Sequence, residues 1–263
     1  MSEFTNFDRA AEYYDETRGF PPGADVKVAA FIAEKAGLKP EHNVLEVGIG
    51  TGRIAVPLAA HVSSIAGVDI SQAMMSKLLE KSSANPIFPI ESDAVHLPFA
   101  ANSFDAVLSV HVFHLIPDMN QCIQEINRVL KPDGVLLYGG GPADAKGDTS
   151  TPAFADLEAV WEKHAPPSVG AGKMEDVQEV LKQNGWQIPD EPYKYEGIIV
   201  KRRPSDFIEG LRQRKRSAAW RMSDEQLNAA IIELEHVASE NYADPGASLE
   251  LEAVFYLTVY RRL

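Results

Sequence analysis

Short apolar runs alternate with amphipathic segments between residues 43 and 140. Five runs are candidate strands: NVLEV (43–47), SIAGVD (64–69), IFPIES (87–92), FDAVLSV (104–110) and GVLLYG (134–139). Strands that are buried on both faces of a parallel sheet have this nearly continuous apolar character. Their alternation with helical segments predicts βαβ units and a mainly parallel sheet.

Two of the intervening helices carry recognisable start signals. Ser71 is expected to cap the first, and Asp118 the second, where Gln121 follows three residues later. Apolar residues of the second helix repeat at the spacing of one buried face: Met119, Cys122, Ile123, Ile126 and Leu130. The turn PDG (132–134) predicts that this helix ends at Lys131. We assign no chemistry to Cys122, because a cysteine on such a face is typically a small buried hydrophobe.

The pattern changes after residue 140. Segments rich in Gly, Pro, Ser and Ala surround a short helical stretch near residues 157–163, which indicates a long insertion at 142–173. Four elements are expected after it: a helix closed by Gly185, a strand at 193–202, a helical region at 204–241 with a Ser223/Gln226 capping box, and a β-rich run at 251–262.

The charge balance narrows the possible partners. The chain has 25 basic and 38 acidic residues, and its formal charge of −13 would repel nucleic-acid phosphates and anionic membrane surfaces. No apolar run approaches the roughly 18 residues that a membrane helix needs, and the N-terminus lacks a secretory pattern. A single cysteine excludes an intrachain disulfide framework. We therefore expect a soluble, cytoplasmic protein that binds neither nucleic acid nor membranes.

Three alternating glycines, Gly48, Gly50 and Gly52, follow the first predicted strand. A strand, a glycine turn and a helix start form a place where a nucleotide-like ligand can lie against main-chain N–H groups. Gly50-x-Gly52-x-x-Ala55 satisfies the dinucleotide fingerprint, and Asp69 ends the second strand where a ribose-binding acid is expected. An NAD(P)-dependent oxidoreductase is therefore one hypothesis.

The register of the glycines favours another cofactor. The sequence E-x-G-x-G-x-G at 46–52 resembles the first motif of class I S-adenosylmethionine-dependent methyltransferases. The resemblance continues in the correct order through Asp69-Ile70-Ser71 with Met74, then SDAVHLPF (92–99), FDAVLSVHVFHLIPD (104–118) and RVLKPDGVLLYGG (128–140). The segment FDRAAEYYDETR (7–18) is similar to the lead-in of the type 11 subgroup, which includes ubiquinone and menaquinone methyltransferases.

This resemblance implies methyl transfer from S-adenosylmethionine to an oxygen, carbon or nitrogen of a small-molecule acceptor. It also implies a Rossmann-like, doubly wound α/β sheet of seven strands, the last of them antiparallel. We expect one domain over residues 1–263, with its core at about 35–141, 174–202 and 251–263. Residues 1–30, 142–173 and 204–241 would form a helical cap over the acceptor. A regulator that binds the cofactor without turnover is a further alternative.

The resemblance also assigns roles to individual residues. Asp69 would accept hydrogen bonds from both ribose hydroxyls. Asp93 would accept a hydrogen bond from the adenine amine, while the neighbouring Ala94 amide donates one to the ring. Tyr14 and Arg18 would cover the methionine end of the cofactor. The complete predicted cofactor set is Tyr14, Arg18, Glu46, Gly48, Gly50, Gly52, Asp69, Ile70, Met74, Asp93, Ala94, Val110 and His111.

Methyl transfer from a sulfonium relies mainly on positioning, since the leaving group is already good. A general base helps only when the acceptor is a hydroxyl or an acidic carbon. His111 and His114 follow the fourth strand, at the edge where open α/β sheets bind ligands, and they are the candidate bases. The alternatives are that His111 packs beside the cofactor as a polar wall and that His114 fills the base of a helix. No metal site is predicted, because the two histidines have no cysteine near them.

Overall fold

The apolar runs pair into one sheet in the computed structural model, which describes residues 7–82, 86–141, 154–167 and 174–263. The strands are β1 (Asn43–Val47), β2 (Ser64–Asp69), β3 (Ile87–Glu91), β4 (Phe104–Val110), β5 (Leu130–Gly140), β6 (Trp186–Gln187), β7 (Tyr193–Arg202) and β8 (Leu249–Arg262). Their order is β3-β2-β1-β4-β5-β8-β6, and β7 pairs with β8. Strands β1 to β5 pair in parallel, whereas β8 is antiparallel to β5.

The predicted fold class is confirmed, since the sheet has the Rossmann-like arrangement with an antiparallel strand beside β5. The predicted count of seven strands differs from the eight found among the described residues. The additional strand is β6, in which Trp186 and Gln187 pair with Arg262 and Arg261. Two residues are too few to produce a detectable alternation of apolar and polar positions.

Helices lie between the strands in the expected places. They are α1 (Tyr14–Arg18), α2 (Ala24–Ala36), α3 (Ala55–Leu58), α4 (Gln72–Lys81), α5 (Met119–Val129), α6 (Ala155–His164), α7 (Met174–Gln183), α8 (Pro204–Arg212) and α9 (Asp224–Asn241). The predicted N-caps are present: the Ser71 side chain accepts a hydrogen bond from the Met74 N–H, and Asp118 accepts one from Gln121. The capping box of Ser223 starts α9.

Helix α5 ends earlier than predicted. Its last residue is Val129, and Leu130 already has the extended backbone of β5 (φ −73°, ψ 139°). Leu130 pairs with Phe104 of β4, so sheet pairing replaces the last turn of the helix. The prediction of a helix end at Lys131 was therefore wrong, because the side-chain pattern does not reveal a strand that begins without a turn.

The chain divides into two compact units. The first comprises Met1–Gly140, Val169–Tyr195 and Phe255–Leu263, and the second comprises Gly141–Ser168 and Glu196–Val254. Most of the predicted insertion, at 142–153 and 168–173, lies outside the described residues. The single domain with a helical cap stays a prediction.

The first unit contains the parallel strands and the helices that cover them. One buried cluster combines residues of β1, β4, β5 and α5, including Leu45, Val107, Ile123 and Leu136, all fully buried. Cys122 belongs to this cluster and is also fully buried, as its position in the helix predicted.

The second unit has a hydrophobic core of its own. Phe154 and Trp161 are buried there among residues of α8 and α9. With exposed fractions of 7% and 6%, both are core residues. Three arginines of this unit form ion pairs: Arg212 with Glu209 and Glu235, Arg214 with Asp224, and Arg216 with Glu158.

Among the described residues, no helix is long and apolar enough to cross a membrane.

Candidate functional site

A cavity of about 110 Å³ opens in the first unit, at the carboxyl ends of β1, β2 and β4. This is the edge at which open α/β sheets bind ligands. Its lining combines predicted and unpredicted residues: Phe7, Tyr14, Val47, Gly48, Gly50, Val68, Asp69, Ile70, Met74, Ser92, Asp93, Ala94, Val110, His111, Val112, Leu115, Ile116 and Pro117. Ten of the thirteen predicted cofactor residues therefore contribute to one cavity, and Glu46 lies in a smaller one beside it.

The turn after β1 depends on the absence of side chains. Gly48, Gly50 and Gly52 have φ angles of +75°, +51° and +74°, a region that L-residues rarely adopt. A Cβ at Gly48 would lie 2.2 Å from Cγ2 of Val112, and a Cβ at Gly50 would lie 3.3 Å from Cε of Met74. The glycines thus permit both the backbone path and the close approach of neighbouring side chains.

Asp69 fastens this turn to the end of β2. Its Oδ2 accepts a hydrogen bond from the Gly50 N–H (2.9 Å), and its Oδ1 accepts one from the Ser71 N–H (2.9 Å). Burial raises the pKa of Asp69, while the N–H groups of Ser71, Gly50 and Ile70 oppose that rise. The carboxylate is held in a fixed orientation and keeps acceptor capacity for a ligand, since each oxygen can accept more than one hydrogen bond.

A second, smaller cavity of about 20 Å³ shares Tyr14, Gly48, Gly50 and Val110 with the main cavity. It is lined by Tyr14, Glu46, Arg53 and neighbouring residues of the turn. Glu46 is 3% exposed, and its Oε2 has no hydrogen-bond partner among the described residues. Burial raises its pKa from the ordinary 4.5 to about 8, against the opposing charge of Arg53. An unsatisfied buried carboxylate oxygen is costly, so this cavity suits a cationic or hydrogen-donating group.

The N-terminal segment (residues 7–18) forms one wall of the main cavity. Phe7 and Tyr14 line it and pack edge to face, with ring centroids 6.1 Å apart. Three acidic side chains hold the segment along α4. Asp8 accepts from the Ser71 hydroxyl (2.6 Å), Glu12 pairs with Lys77 (3.1 Å), and Asp15 pairs with Lys81.

The glycine turn is also tied to this segment. The Thr51 hydroxyl donates to Asp15 at 2.6 Å, and Arg53 donates to the backbone carbonyl of Arg18. Arg53 also lies over the ring of Phe20, with its guanidinium carbon 5.2 Å from the centroid. Arg53 therefore braces the turn against the N-terminal segment, and it also lines the smaller cavity.

The loop after β3 supplies the polar end of the main cavity. Ser92, Asp93 and Ala94 line it, and Asp93 braces its own loop by accepting from the Val95 N–H at 3.1 Å. Across the cavity, the loop after β4 adds Leu115, Ile116 and Pro117. The cavity therefore offers the Asp93 carboxylate together with an apolar wall. A purine ring with an exocyclic amine requires this combination.

His111 lies in a left-handed conformation at the end of β4, with φ +59°. Such a backbone costs about 1–2 kcal/mol for a residue other than glycine, and it often marks a functional position. His111 lines the main cavity, whereas His114 lies in the short turn Phe113–Leu115, outside the lining of both cavities. Gly52 and Arg18 are also outside both linings.

Sequence reasoning missed several residues of the site. Phe7, Ser92, Val112, Leu115, Ile116 and Pro117 lie in loops that only tertiary structure brings to the cavity. All six fall inside the motifs quoted above, at 7–18, 92–99 and 104–118, so their segments carried a signal although their individual positions did not. Within the described part of the chain, no group of three or more His, Cys, Asp or Glu side chains could hold a metal ion.

Comparison with known families agrees with this geometry. Residues 45–138 match a family model described as a methyltransferase domain. An uncharacterized methyltransferase of Bacillus subtilis (strain 168), YcgJ, is 33% identical over 141 residues, which cover 52% of this chain and 54% of that protein. The demethylmenaquinone methyltransferase of Staphylococcus aureus (strain MRSA252) is 29% identical over 164 residues, which cover 60% of this chain and 66% of that protein.

Solved structures show the same fold. The crystal structure of YcgJ from Bacillus subtilis superposes with a TM-score of 0.61 at 18% identity, covering 90% of this chain and 99% of that chain. A phosphoethanolamine N-methyltransferase of Haemonchus contortus, solved with S-adenosylhomocysteine, superposes with a TM-score of 0.54 at 20% identity. That match covers 97% of this chain and 58% of that chain.

Proposed function

We propose that this chain transfers the methyl group of S-adenosylmethionine to a small-molecule acceptor, because residues 45–138 match a family model described as a methyltransferase domain. One observation carries the proposal. The cavity at the ends of β1 and β2 joins a glycine turn without room for side chains to the fixed carboxylate of Asp69. The match spans about half to two-thirds of the length of its curated relatives, so the acceptor is not inferred from their names.

The residues present fit the chemistry of this cofactor. Asp69 offers carboxylate oxygens to a ribose diol, and Asp93 offers one to an adenine amine. Ile70 and Met74 provide apolar contact for the adenine ring. The unsatisfied Oε2 of Glu46 matches the ammonium of the methionine end, which would favour the ionised form of this buried carboxyl and lower its raised pKa. The remaining predicted contacts, including Tyr14 and Arg18, would cover that end from the N-terminal segment.

When bound, S-adenosylmethionine supplies an electrophilic methyl group on a good leaving group. The chain therefore has to position the acceptor, exclude water and remove a proton where the acceptor has one to lose. His111 lines the main cavity, and we assign to it the removal of this proton. His114 lies outside both linings, so we assign it the packing role that the sequence left open.

Calorimetry of the purified protein tests the cofactor first. S-adenosylmethionine and S-adenosylhomocysteine are expected to bind in the micromolar range, and Asp69→Asn is expected to weaken both at least tenfold. Asp105→Asn is the matched control, since Asp105 also braces the core by accepting from the Asn43 N–H (2.9 Å) and pairing with Lys131 (2.7 Å). It lies outside both cavity linings, so cofactor affinity should stay unchanged.

The same titrations separate the alternatives. Binding of NAD without S-adenosylmethionine would indicate the oxidoreductase and contradict the proposal. Turnover is then measured with tritium-labelled S-adenosylmethionine and a panel of small acceptors that covers phenols, hydroquinones and amines. Label that enters an acceptor faster than the cofactor decomposes supports the enzyme, whereas tight binding without transfer to any member favours the regulator.

A further inference from the structure

Glycines occupy the last two positions of β5, Gly139 and Gly140, and the position after it, Gly141; two of these three have a structural reason to be glycine. A Cβ at Gly139 would lie 2.9 Å from Cζ of Phe255 and 3.0 Å from Cγ2 of Val110, closer than real Cβ contacts normally come. Gly141 has φ +104°, which a side chain would strain. Packing therefore explains the first glycine, and backbone conformation explains the third.

Gly140 has neither reason. Its φ angle is not positive, and it pairs with Tyr256 of β8 as an ordinary strand residue. Among the described residues, the one heavy atom within 4 Å of a Cβ built at Gly140 is Cε1 of His111, at an unstrained 3.8 Å. Glycine inside a strand costs roughly 0.5–1 kcal/mol relative to residues with side chains. A strand glycine without a conformational or packing role often marks the close approach of a ligand to the backbone.

The neighbours of Gly140 define the space above it. His111 follows β4 on one side, and Tyr256 lies directly opposite on β8 on the other, so its side chain shares a face with the Cβ that Gly140 lacks. Adjacent strands lie about 4.8 Å apart, which separates the flanking backbones by about 10 Å. Carbon contacts of about 3.5–4.0 Å on each side leave room for one flat ring between the two side chains.

We infer that the space over Gly140, between His111 and Tyr256, receives the methyl acceptor, and that Gly140 selects for a planar ring bearing a hydroxyl group. This inference rests on the proposed function and deepens it. Gly140 acts as a specificity-determining residue because any side chain there would fill the space beside the imidazole. Half-buried Tyr256, with the Lys194 ammonium 5.6 Å from its ring centroid, forms the far wall.

Methyl transfer to such an acceptor conserves atoms and electrons. A lone pair of the acceptor oxygen forms the new bond to the methyl carbon, and the electron pair of the breaking carbon–sulfur bond stays on sulfur. The sulfonium becomes a neutral thioether. The hydroxyl proton passes to the His111 imidazole, which releases it to solvent after the product leaves. No oxidant or further co-reactant is required.

The test measures acceptor binding without turnover. Protein labelled with ¹³C at histidine Cε1 is saturated with S-adenosylhomocysteine and titrated with catechol, and the His111 resonance is assigned from a His111→Gln sample. Catechol is expected to shift that resonance saturably. In Gly140→Val its apparent Kd should rise at least tenfold, while the Kd for S-adenosylhomocysteine stays within twofold. Cyclohexane-1,2-diol, which has the same hydroxyls on a puckered ring, should leave the resonance unchanged.

Gly139→Ala is the matched structural control. It adds a methyl group one residue away, on the opposite face of β5, and should lower the melting temperature, whereas Gly140→Val should keep or raise it. Equal catechol affinity in the wild type and Gly140→Val, or no shift of His111 by catechol, overturns the inference. Either result with intact S-adenosylhomocysteine binding leaves the proposed function standing; loss of that binding in the wild type would instead contradict the proposed function itself.

Discussion

The backbone N–H of Gly50 donates a hydrogen bond to Oδ2 of Asp69 across 2.9 Å, and this bond joins the ends of two adjacent parallel strands. Gly50 follows β1 and Asp69 ends β2, so the bond fixes the glycine turn relative to the carboxylate. The other Asp69 oxygen accepts from Ser71, which caps α4. One carboxylate therefore orients a turn and a helix start at once, through hydrogen bonds that need no ligand.

Substitution of Gly52 should destabilise the fold more than its backbone conformation alone explains. Gly52→Ala adds strain at φ +74° and places a Cβ 2.2 Å from Cδ1 of Leu78. We expect the free energy of unfolding to fall by about 1–2 kcal/mol from the backbone strain and by a further 1–3 kcal/mol from the steric overlap. Urea unfolding followed by circular dichroism gives the free energy of unfolding.

Gly23 provides the control for that measurement. Its φ is +77°, and no described atom lies within 4 Å of a Cβ built there. Gly23→Ala therefore carries the backbone cost without the overlap. The difference between the two variants isolates the contact with Leu78, and equal losses in both would show that this packing contributes nothing.

The sequence predicted what depends on local pattern. The parallel strands follow from apolar runs, and the caps at Ser71, Asp118 and Ser223 follow from side-chain chemistry at fixed offsets. Contacts between distant segments could not be predicted in this way. The Asp8–Ser71 bond joins residues 63 positions apart, and no pattern in either segment specifies the other. The left-handed backbone of His111 was equally hidden, because only a few per cent of residues other than glycine adopt it, and a histidine in the sequence does not by itself mark it.

Cys122 should behave as an inert core residue. It is fully buried, and burial raises the pKa of its thiol, with Asp93, Asp118 and Glu125 adding to the rise. We expect no reaction with Ellman's reagent in native buffer and one thiol titrated in denaturant. Cys122→Ser should cost about 1–3 kcal/mol, since it buries a hydroxyl in an apolar cluster. Rapid native labelling would contradict this assignment.

Glu46 should make the stability of the ligand-free protein depend on pH. Its pKa is raised from 4.5 to about 8, so between these values the folded state holds a proton that the unfolded state has released. The stabilisation is complete below pH 4.5 and is lost as the pH rises towards 8. Within this window the free energy of unfolding should fall by roughly 1 kcal/mol per pH unit.

Glu46→Gln supplies the reference for this dependence. The amide keeps an acceptor for the Ala55 N–H, which hydrogen-bonds to Glu46, but it does not titrate. The difference between wild type and variant across pH 5 to 9, measured by urea unfolding, cancels contributions from other groups. If the free energies of unfolding of the wild type and the variant changed with pH in parallel, the Glu46 carboxylate would not be buried in solution as it is in this structure. The variant should also bind S-adenosylmethionine more weakly at pH 8, because it cannot neutralise the ammonium.

The N-terminal segment should release bound cofactor faster when its contacts with α4 are weakened. Asp15 accepts from Thr51 and pairs with Lys81, both partly exposed contacts. Surface ion pairs of this kind contribute about 0–1 kcal/mol, and the hydroxyl bond about 1 kcal/mol. Asp15→Ala should therefore accelerate S-adenosylhomocysteine dissociation about three- to tenfold in stopped-flow fluorescence. Added salt should accelerate the wild type towards the variant, since screening weakens the ion pair but leaves the variant unaffected. Glu16→Gln makes the same charge change one residue away and should leave the rate unchanged; equal acceleration in both variants would assign the effect to net charge alone.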